Sequence, residues 1–306
     1  MNDKIRIHLQ RMDPATLGLL QPFFARPSAD EWIRDVLRAY FHYFLRIGGK
    51  EEVNQTAKKT LQAGLKPLVP VGKRRSLDRM EEFLYDEFHR KGYYFLGGKT
   101  GPYYGPYIWK RTRWRVFEVE LPDQRERVNV FFMHDFLIRS WMHFQTFGSR
   151  GTGGWVKRED APWEDGLYCV AESYDLQHLD KDWIFQVSLL KHEAQHFADK
   201  QDFPGLNNID LEYRAKLVEL IYFSEMKYRF FPILHEAGPI KADPHRYAAH
   251  LIVREMSERV LGRLYEKKEE EWQSVPYEKI QAEARQLFQE HTRQLKTSPR
   301  NRKGVF

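Results

Sequence analysis

The sequence predicts an α+β protein that is mostly helical, with a small antiparallel sheet in the middle of the chain. Three observations support this class. Up to residue 92, apolar residues recur at helical spacing; from Gly92 to Ala171, alternating patterns and glycine-rich turns are typical of strands; after Asp182, helical spacing returns. Helices that are separated along the chain from an antiparallel sheet define the α+β class.

The N-terminal region is predicted to contain three helices. Ser28 and Glu31 form a capping box that is expected to open the first helix, and Gly48-Gly49 is expected to end it. Further helices are predicted from about Glu51 to Ala63 and from Arg75 to His89. The apolar face of the first helix consists of residues at three- and four-residue spacing: Trp32, Val36, Tyr40, Phe44 and Ile47.

The predicted sheet is built around one hairpin. Trp114–Leu121 alternates like a half-buried strand, and Arg127–Phe132 can return beside it after a short turn. A further strand is predicted at Gly166–Ala171. Either Gly151–Val156 or Tyr168–Ala171 is expected to form the edge of the sheet.

Composition and charge limit the classes of function. The formal net charge is +6, but 43 acidic residues are mixed among 49 basic ones, and the basic runs do not alternate with aromatic residues. Nucleic-acid binding is therefore not favoured. The single cysteine, Cys169, excludes an intrachain disulfide and a cysteine-based metal site. With no signal-peptide pattern and no apolar run of about 18 residues, no membrane span is predicted and a cytoplasmic location is the default expectation.

The chemistry is concentrated in His192-Glu193-Ala194-Gln195-His196, within a helix predicted from about Trp183 to Asp199. Histidines four residues apart share one face of a helix, so both imidazoles can reach one Zn²⁺ ion. Glu193 is next to the first histidine and can accept a proton from water bound to that ion. Apolar residues flank the motif and predict a buried helix. The alternative is that both histidines are core residues bonded to carboxylates or to the backbone.

A third protein ligand is expected on the following helix. Asp210 is a plausible N-cap, and Glu212 and Ala215 follow it in the first turns of that helix. From His192 to Ala215 the chain resembles the gluzincin metallopeptidases, in which a His-Glu-x-x-His motif is followed on a second helix by a glutamate ligand in a Glu-x-x-Ala-like setting. Glu219, two turns after Glu212 on the same face, is the competitor for this role, although a surface carboxylate is favoured there.

The resemblance implies one zinc ion per chain, with His192, His196 and Glu212 as ligands and Glu193 as the general base. It also implies a zincin-like catalytic domain at 93–296, with the small sheet packed beside the zinc-binding helix. Periodicity and composition predict an N-terminal helical region at 1–92 and a basic flexible tail at 297–306. The chain lacks the thermolysin-type Asn-Glu-x-x-Ser-Asp pattern and the metzincin extension. The alternatives for Asp199 and Asp202 are to orient a ligand histidine or to be solvated at the end of the helix.

A donor that stabilises the oxyanion is expected after the third ligand. Asp243–His250 offers several candidates in a short space, with Pro244 at a helix start. His245 is ranked first and Tyr247 second. His235, followed closely by a glycine and a proline, is a weaker candidate.

These residues predict a zinc metallopeptidase that acts on a peptide or protein. Two alternatives remain open: a non-catalytic zinc-binding regulatory or partner-binding protein on a peptidase scaffold, and a basic nucleic-acid-binding protein with structural histidines. Glu193 favours catalysis over the first alternative, because a purely structural zinc ion needs no base beside it.

Overall fold

The computed structural model of the chain describes residues 29–47, 51–100, 103–145, 153–156, 165–226, 229–297 and 304–306. They form two compact units, one from the described residues of Met1–Arg113 and Phe132–Thr152, the other from those of Trp114–Phe131 and Gly153–Phe306. The predicted α+β, mostly helical class is confirmed. The domain boundaries predicted at residues 92 and 296 stay a prediction. No described helix has the length and hydropathy to cross a membrane.

The first unit begins with three amphipathic helices, α1 (Glu31–Arg46), α2 (Glu51–Leu65) and α3 (Leu77–Arg90). Asp30 caps α1 by accepting a hydrogen bond from the Ile33 amide, a cap that the sequence analysis missed. The predicted cap Ser28 and the predicted stop at Gly48-Gly49 lie outside the described residues. Ser76 caps α3 in the same manner. These helices share a core rich in aromatic rings: Tyr40, Tyr43, Phe44, Phe88 and Phe95.

Short strands complete this unit. A three-stranded sheet has the order β1-β4-β7, and β2 pairs only with β3 among the described residues. A short helix, α4, follows β7. The bounds are β1 (Tyr94–Leu96), β2 (Lys99–Thr100), β3 (Tyr103–Tyr104), β4 (Tyr107–Trp109), β7 (Ile138–Arg139) and α4 (Ser140–Gln145).

The predicted hairpin is confirmed and is longer than expected. Its strands are β5 (Arg111–Glu120) and β6 (Arg125–His134), neighbours in a four-stranded sheet of order β5-β6-β9-β8. The Leu121 amide donates to the Gln124 carbonyl and closes the turn. A connection this short can join only antiparallel neighbours. The other two strands are β8 (Gly154–Val156) and β9 (Leu167–Val170), which pair antiparallel.

The second unit is organised around one central helix. Helix α6 is contacted by α5, α8 and α9, and its residues from Asp210 to Ile221 are almost all buried. Such a helix shows no clear polar face, because neighbours cover it on all sides. A π-helical segment, Ile184–Lys191, runs directly into α5. The helices are α5 (His192–Asp202), α6 (Asn208–Tyr222), α7 (Phe230–Glu236), α8 (Pro244–Met256) and α9 (Tyr277–Thr297).

The last described residues, 304–306, lie against α6 and α9. The Val305 amide donates to Asp210 Oδ1 over 2.9 Å, and the ring of Phe306 stacks on His291. Apolar contact with Leu295 and Leu211 accompanies these bonds. The predicted flexible tail at 297–306 stays a prediction.

Candidate metal centre

The His-Glu-x-x-His motif lies where the π-helical segment becomes α5, with His192 as the first residue of the α-helix. π-helical turns are rare and are frequently found at functional sites. Ala194 and Ala198 are buried on this helix and their small side chains allow a close neighbour. Helix α5 packs on α6, and the two histidines meet residues of α6 there.

The structure brings His192, His196 and Glu212 together. The two Nε2 atoms are 3.2 Å apart; His192 Nε2 is 3.7 Å from Glu212 Oε2, and His196 Nε2 is 3.5 Å from Glu212 Oε1. The side chains of all three residues are largely buried, at 11%, 11% and 13% exposure. The group can hold a metal ion, since one ligand atom from each residue lies within 4.8 Å of the others.

These separations fit a tetrahedral zinc ion. With metal–ligand distances of about 2.0–2.2 Å, two ligands of a tetrahedral site lie about 3.3–3.5 Å apart. The 3.2 Å between the two Nε2 atoms and the 3.5 Å from His196 Nε2 to Glu212 Oε1 are close to this range, while the 3.7 Å from His192 Nε2 runs to the other carboxylate oxygen, Oε2. In addition, Glu212 Oε2 has the imidazoles of His192 and His245 as partners, at 3.7 and 2.8 Å. Two imidazoles and a carboxylate are a donor set that suits zinc.

Glu219 occupies a different place from the one expected. Its carboxylate is buried, with 1% of the side chain exposed, so the expectation of a surface residue is wrong. Because α6 is covered on all sides, a polar residue two turns after Glu212 still faces the interior. Its Oε1 accepts from His192 Nδ1 over 2.6 Å and from Arg229 Nη2 over 2.6 Å.

This contact distinguishes the two glutamates. Glu219 holds the Nδ1 side of the His192 ring, whereas Glu212 faces the Nε2 atoms of both histidines. A proton on His192 Nδ1 leaves the lone pair of Nε2 free, which is the tautomer that a metal ligand needs. A carboxylate behind a ligand histidine is a common arrangement in zinc sites. The geometry therefore favours Glu212 as the third ligand and Glu219 as the residue that orients His192.

The electrostatics of the group favour positive charge at its centre. Burial lowers the pKa of His196, but Glu212, Glu193 and Asp199 outweigh it, so that the pKa is raised overall. Burial raises the pKa of Glu212, while His196 and His245 outweigh burial and hold that pKa far below its usual range. Carboxylates that stay ionised in a buried place attract a cation.

The remaining predicted residues lie at different distances from the group. Glu193 is half-buried on α5, and its charge contributes to the raised pKa of His196. His245, in the first turn of α8, has Nδ1 2.8 Å from Glu212 Oε2 and keeps 58% of its side chain exposed. Tyr247 instead has its ring against His250 and under Lys241. Its role near the oxyanion stays a prediction that these contacts do not support.

The other predicted candidates lie outside the ligand group, and both alternatives predicted for Asp199 are wrong. Asp199 neither orients a ligand histidine nor is solvated: it is 1% exposed and accepts from Arg214 and Gln195. Asp202 is exposed, in agreement with the solvated alternative. The weaker candidate His235 is 70% exposed and pairs with Glu269, outside the group.

Sequence reasoning missed Arg229 and Arg214. Arg229 contacts Glu219 from the segment that precedes α7, and Arg214 contacts Asp199 from α6. Neither belongs to a motif, so no spacing rule could have identified them. The one signal that could have indicated a buried partner for Arg214 is its position among apolar residues of a helix, since arginine is rarely buried without a partner.

One strand edge lies beside the motif. Among the described residues β8 has a strand neighbour on one side only, β9, and β8 contacts α5. A side chain at Gly154 would place its Cβ 2.7 Å from Leu189 Cδ1, so the backbone approaches the helix closely. This agrees with the first of the two predicted edge segments; its residues 151 and 152 lie outside the described chain.

A scan of protein-family models gives no match to this chain, and neither do searches of curated proteins and of solved structures.

Proposed function

We propose that this protein is a zinc-dependent metallopeptidase. The observation that carries the proposal is the group of His192, His196 and Glu212, in which one ligand atom from each residue lies within 4.8 Å of the others, close enough to hold one ion. The resemblance of residues 192–215 to the gluzincins supports the same activity. Glu193 supports catalysis over a structural metal site, because a carboxylate beside the first ligand serves as a base.

When bound, zinc lowers the pKa of a coordinated water towards about 7 and polarises a substrate carbonyl. The protein supplies the proton transfers. Glu193 accepts the proton of the attacking water at its carboxylate and then donates it to the leaving amine. Glu219 holds the Nδ1 proton of His192, so that Nε2 stays in the orientation and tautomer of a ligand. His245, exposed and next to Glu212, is the candidate to donate a hydrogen bond to the developing oxyanion.

The substrate class that fits is an extended peptide or a protein segment. The edge of β8 beside α5 supports this, since an extended chain can add to a sheet edge through backbone hydrogen bonds. A cytoplasmic setting belongs to the same proposal, because the one cysteine is buried and the fold depends on no disulfide.

The test begins with metal content. Native protein purified without chelator is expected to contain one zinc ion per chain, measured by elemental analysis, and His192→Ala or His196→Ala is expected to contain none. Glu193→Gln should keep the zinc and lower hydrolysis of a fluorogenic peptide library by about 10²–10⁴-fold, because it keeps the shape of the side chain and removes the base. Circular dichroism is measured first on every variant.

Asp202→Asn is the matched control, since it removes one exposed carboxylate from the same helix. It should hydrolyse peptides at the native rate. A native chain without stoichiometric metal would sink the proposal. Zinc binding without any hydrolysis by either form would instead support the non-catalytic regulator.

A further inference from the structure

A buried ion pair joins the two helices that carry the ligands. Asp199 is on α5 and Arg214 is on α6, and Arg214 Nε lies 2.7 Å from Asp199 Oδ1. The side chain of Arg214 is 3% exposed and that of Asp199 is 1% exposed. Asp199 is one turn after the ligand His196, and Arg214 is two residues after the ligand Glu212. The pair thus lies close along each helix to a ligand, and among the described residues no hydrogen bond joins it to the three ligands.

The pair is part of a longer network that fixes both partners. Gln195, the residue before His196, donates from Nε2 to Asp199 Oδ1 over 2.8 Å. Arg214 Nη1 donates to Thr292 Oγ1 on α9 over 2.8 Å, and the guanidinium lies 4.1 Å from the ring centroid of Phe288. Each end of the pair is therefore held in one orientation by further buried groups.

Stability alone is a poor reason for such a pair. Removing two charges from water is costly, and well-packed apolar residues of similar volume are often as stable or more stable. What an ion pair with fixed geometry adds is register, because its short bonds tolerate little sliding of one helix along the other. A zinc site has the same sensitivity, since its ligands must meet one ion within a few tenths of an ångström.

We propose that Asp199 and Arg214 are positioning residues of the metal centre, which hold α5 and α6 in the register that brings His192 and His196 to Glu212. The inference rests on the proposed zinc site. It predicts that the pair controls metal affinity and ligand geometry beyond any effect on folding.

The experiment removes both partners together. Asp199→Asn combined with Arg214→Met leaves no unpaired buried charge, so this variant is expected to fold. Its affinity for Zn²⁺, measured by competition with a chromophoric chelator, should fall by about 10–100-fold, the range typical of residues that orient ligands. With Co²⁺ in place of zinc, its visible absorption bands should shift, because they report ligand geometry.

The matched control is Tyr277→Phe. It removes a buried hydrogen bond from Tyr277 to the Leu220 carbonyl, which ties α9 to α6 and does not involve α5. This variant should lose stability to urea and keep native zinc affinity and the native Co²⁺ spectrum. Arg214→Lys serves if the double variant does not fold: it keeps the charges, cannot reach Asp199 and Thr292 at once, and should show a smaller loss of affinity in the same direction.

The outcomes separate the two proposals. If the native chain binds zinc and a folded pair variant binds it with native affinity and spectrum, the pair has no positioning role. If the native chain binds no stoichiometric zinc, the proposed function fails and this inference fails with it.

Discussion

Two buried carboxylates, one in each unit, show how differently the same side chain can be used. Glu81 on α3 accepts from the Tyr40 hydroxyl at one oxygen and from the Gly98 amide at the other, both over 2.6 Å. Glu212 on α6 instead faces three imidazoles: His196 Nε2 lies 3.5 Å from Oε1, and His192 Nε2 and His245 Nδ1 lie 3.7 and 2.8 Å from Oε2.

The difference shows which buried carboxylate finds all of its hydrogen-bond donors within the protein. A buried polar atom without a partner is costly, so native structures satisfy nearly all of them. The chain's own donors satisfy Glu81, which therefore needs nothing further and belongs to the architecture of the first unit. Glu212 is surrounded by imidazoles instead, a donor set that a cation can share, and this supports the proposed metal site in the second unit.

The largest expected effect comes from exchanging each of these carboxylates for an amide. Glu212→Gln should lower zinc affinity by more than about 100-fold, beyond the range of residues that only orient ligands. Glu81→Gln should leave zinc affinity unchanged and cost about 1–3 kcal/mol of unfolding free energy, because one of two charge-assisted hydrogen bonds is lost. Chelator competition and urea denaturation measure the two quantities. Equal effects of both exchanges on zinc affinity would remove the distinction.

A smaller effect is expected at Glu219. Glu219→Gln keeps an acceptor for His192 Nδ1 but removes the charge, so zinc affinity should fall by about 10–100-fold. Glu255→Gln is the control on the same helix bundle, since Glu255 accepts from the Tyr213 hydroxyl and not from a ligand. If Glu219→Gln lowered affinity more than Glu212→Gln, the assignments of ligand and orienting residue would have to be exchanged.

The smallest effect is protection of Cys169, the one thiol of the chain. It is fully buried on β9, and burial raises the pKa of this thiol, so it should react with a disulfide reagent only when the second unit opens. Zinc at ten times its Kd stabilises by about 1.4 kcal/mol and should slow labelling about tenfold. The same zinc concentration should not change labelling in His192→Ala. Slowing in that variant would mean that zinc acts elsewhere.

The sequence by itself determined the α+β class, the hairpin and the place of the motif. These depend on local patterns: alternation over Trp114–Leu121, helical spacing before residue 92, and two histidines one turn apart. It was less successful at helix ends. The cap at Asp30 was missed because a neighbouring serine satisfied the same pattern, and no local rule predicts a π-helical turn before His192.

Only the tertiary structure decided which glutamate faces the histidines. Glu212 and Glu219 lie on one face of α6, so the sequence pattern cannot distinguish them. The packing of α5 does, because the Nε2 atoms of His192 and His196 lie beside Glu212, while Nδ1 of His192 contacts Glu219. The tertiary structure likewise identified the partners that come from other segments of the chain: Arg229, Arg214 and Thr292. Contacts of long sequence separation depend on how helices pack, and packing is a property of the whole chain.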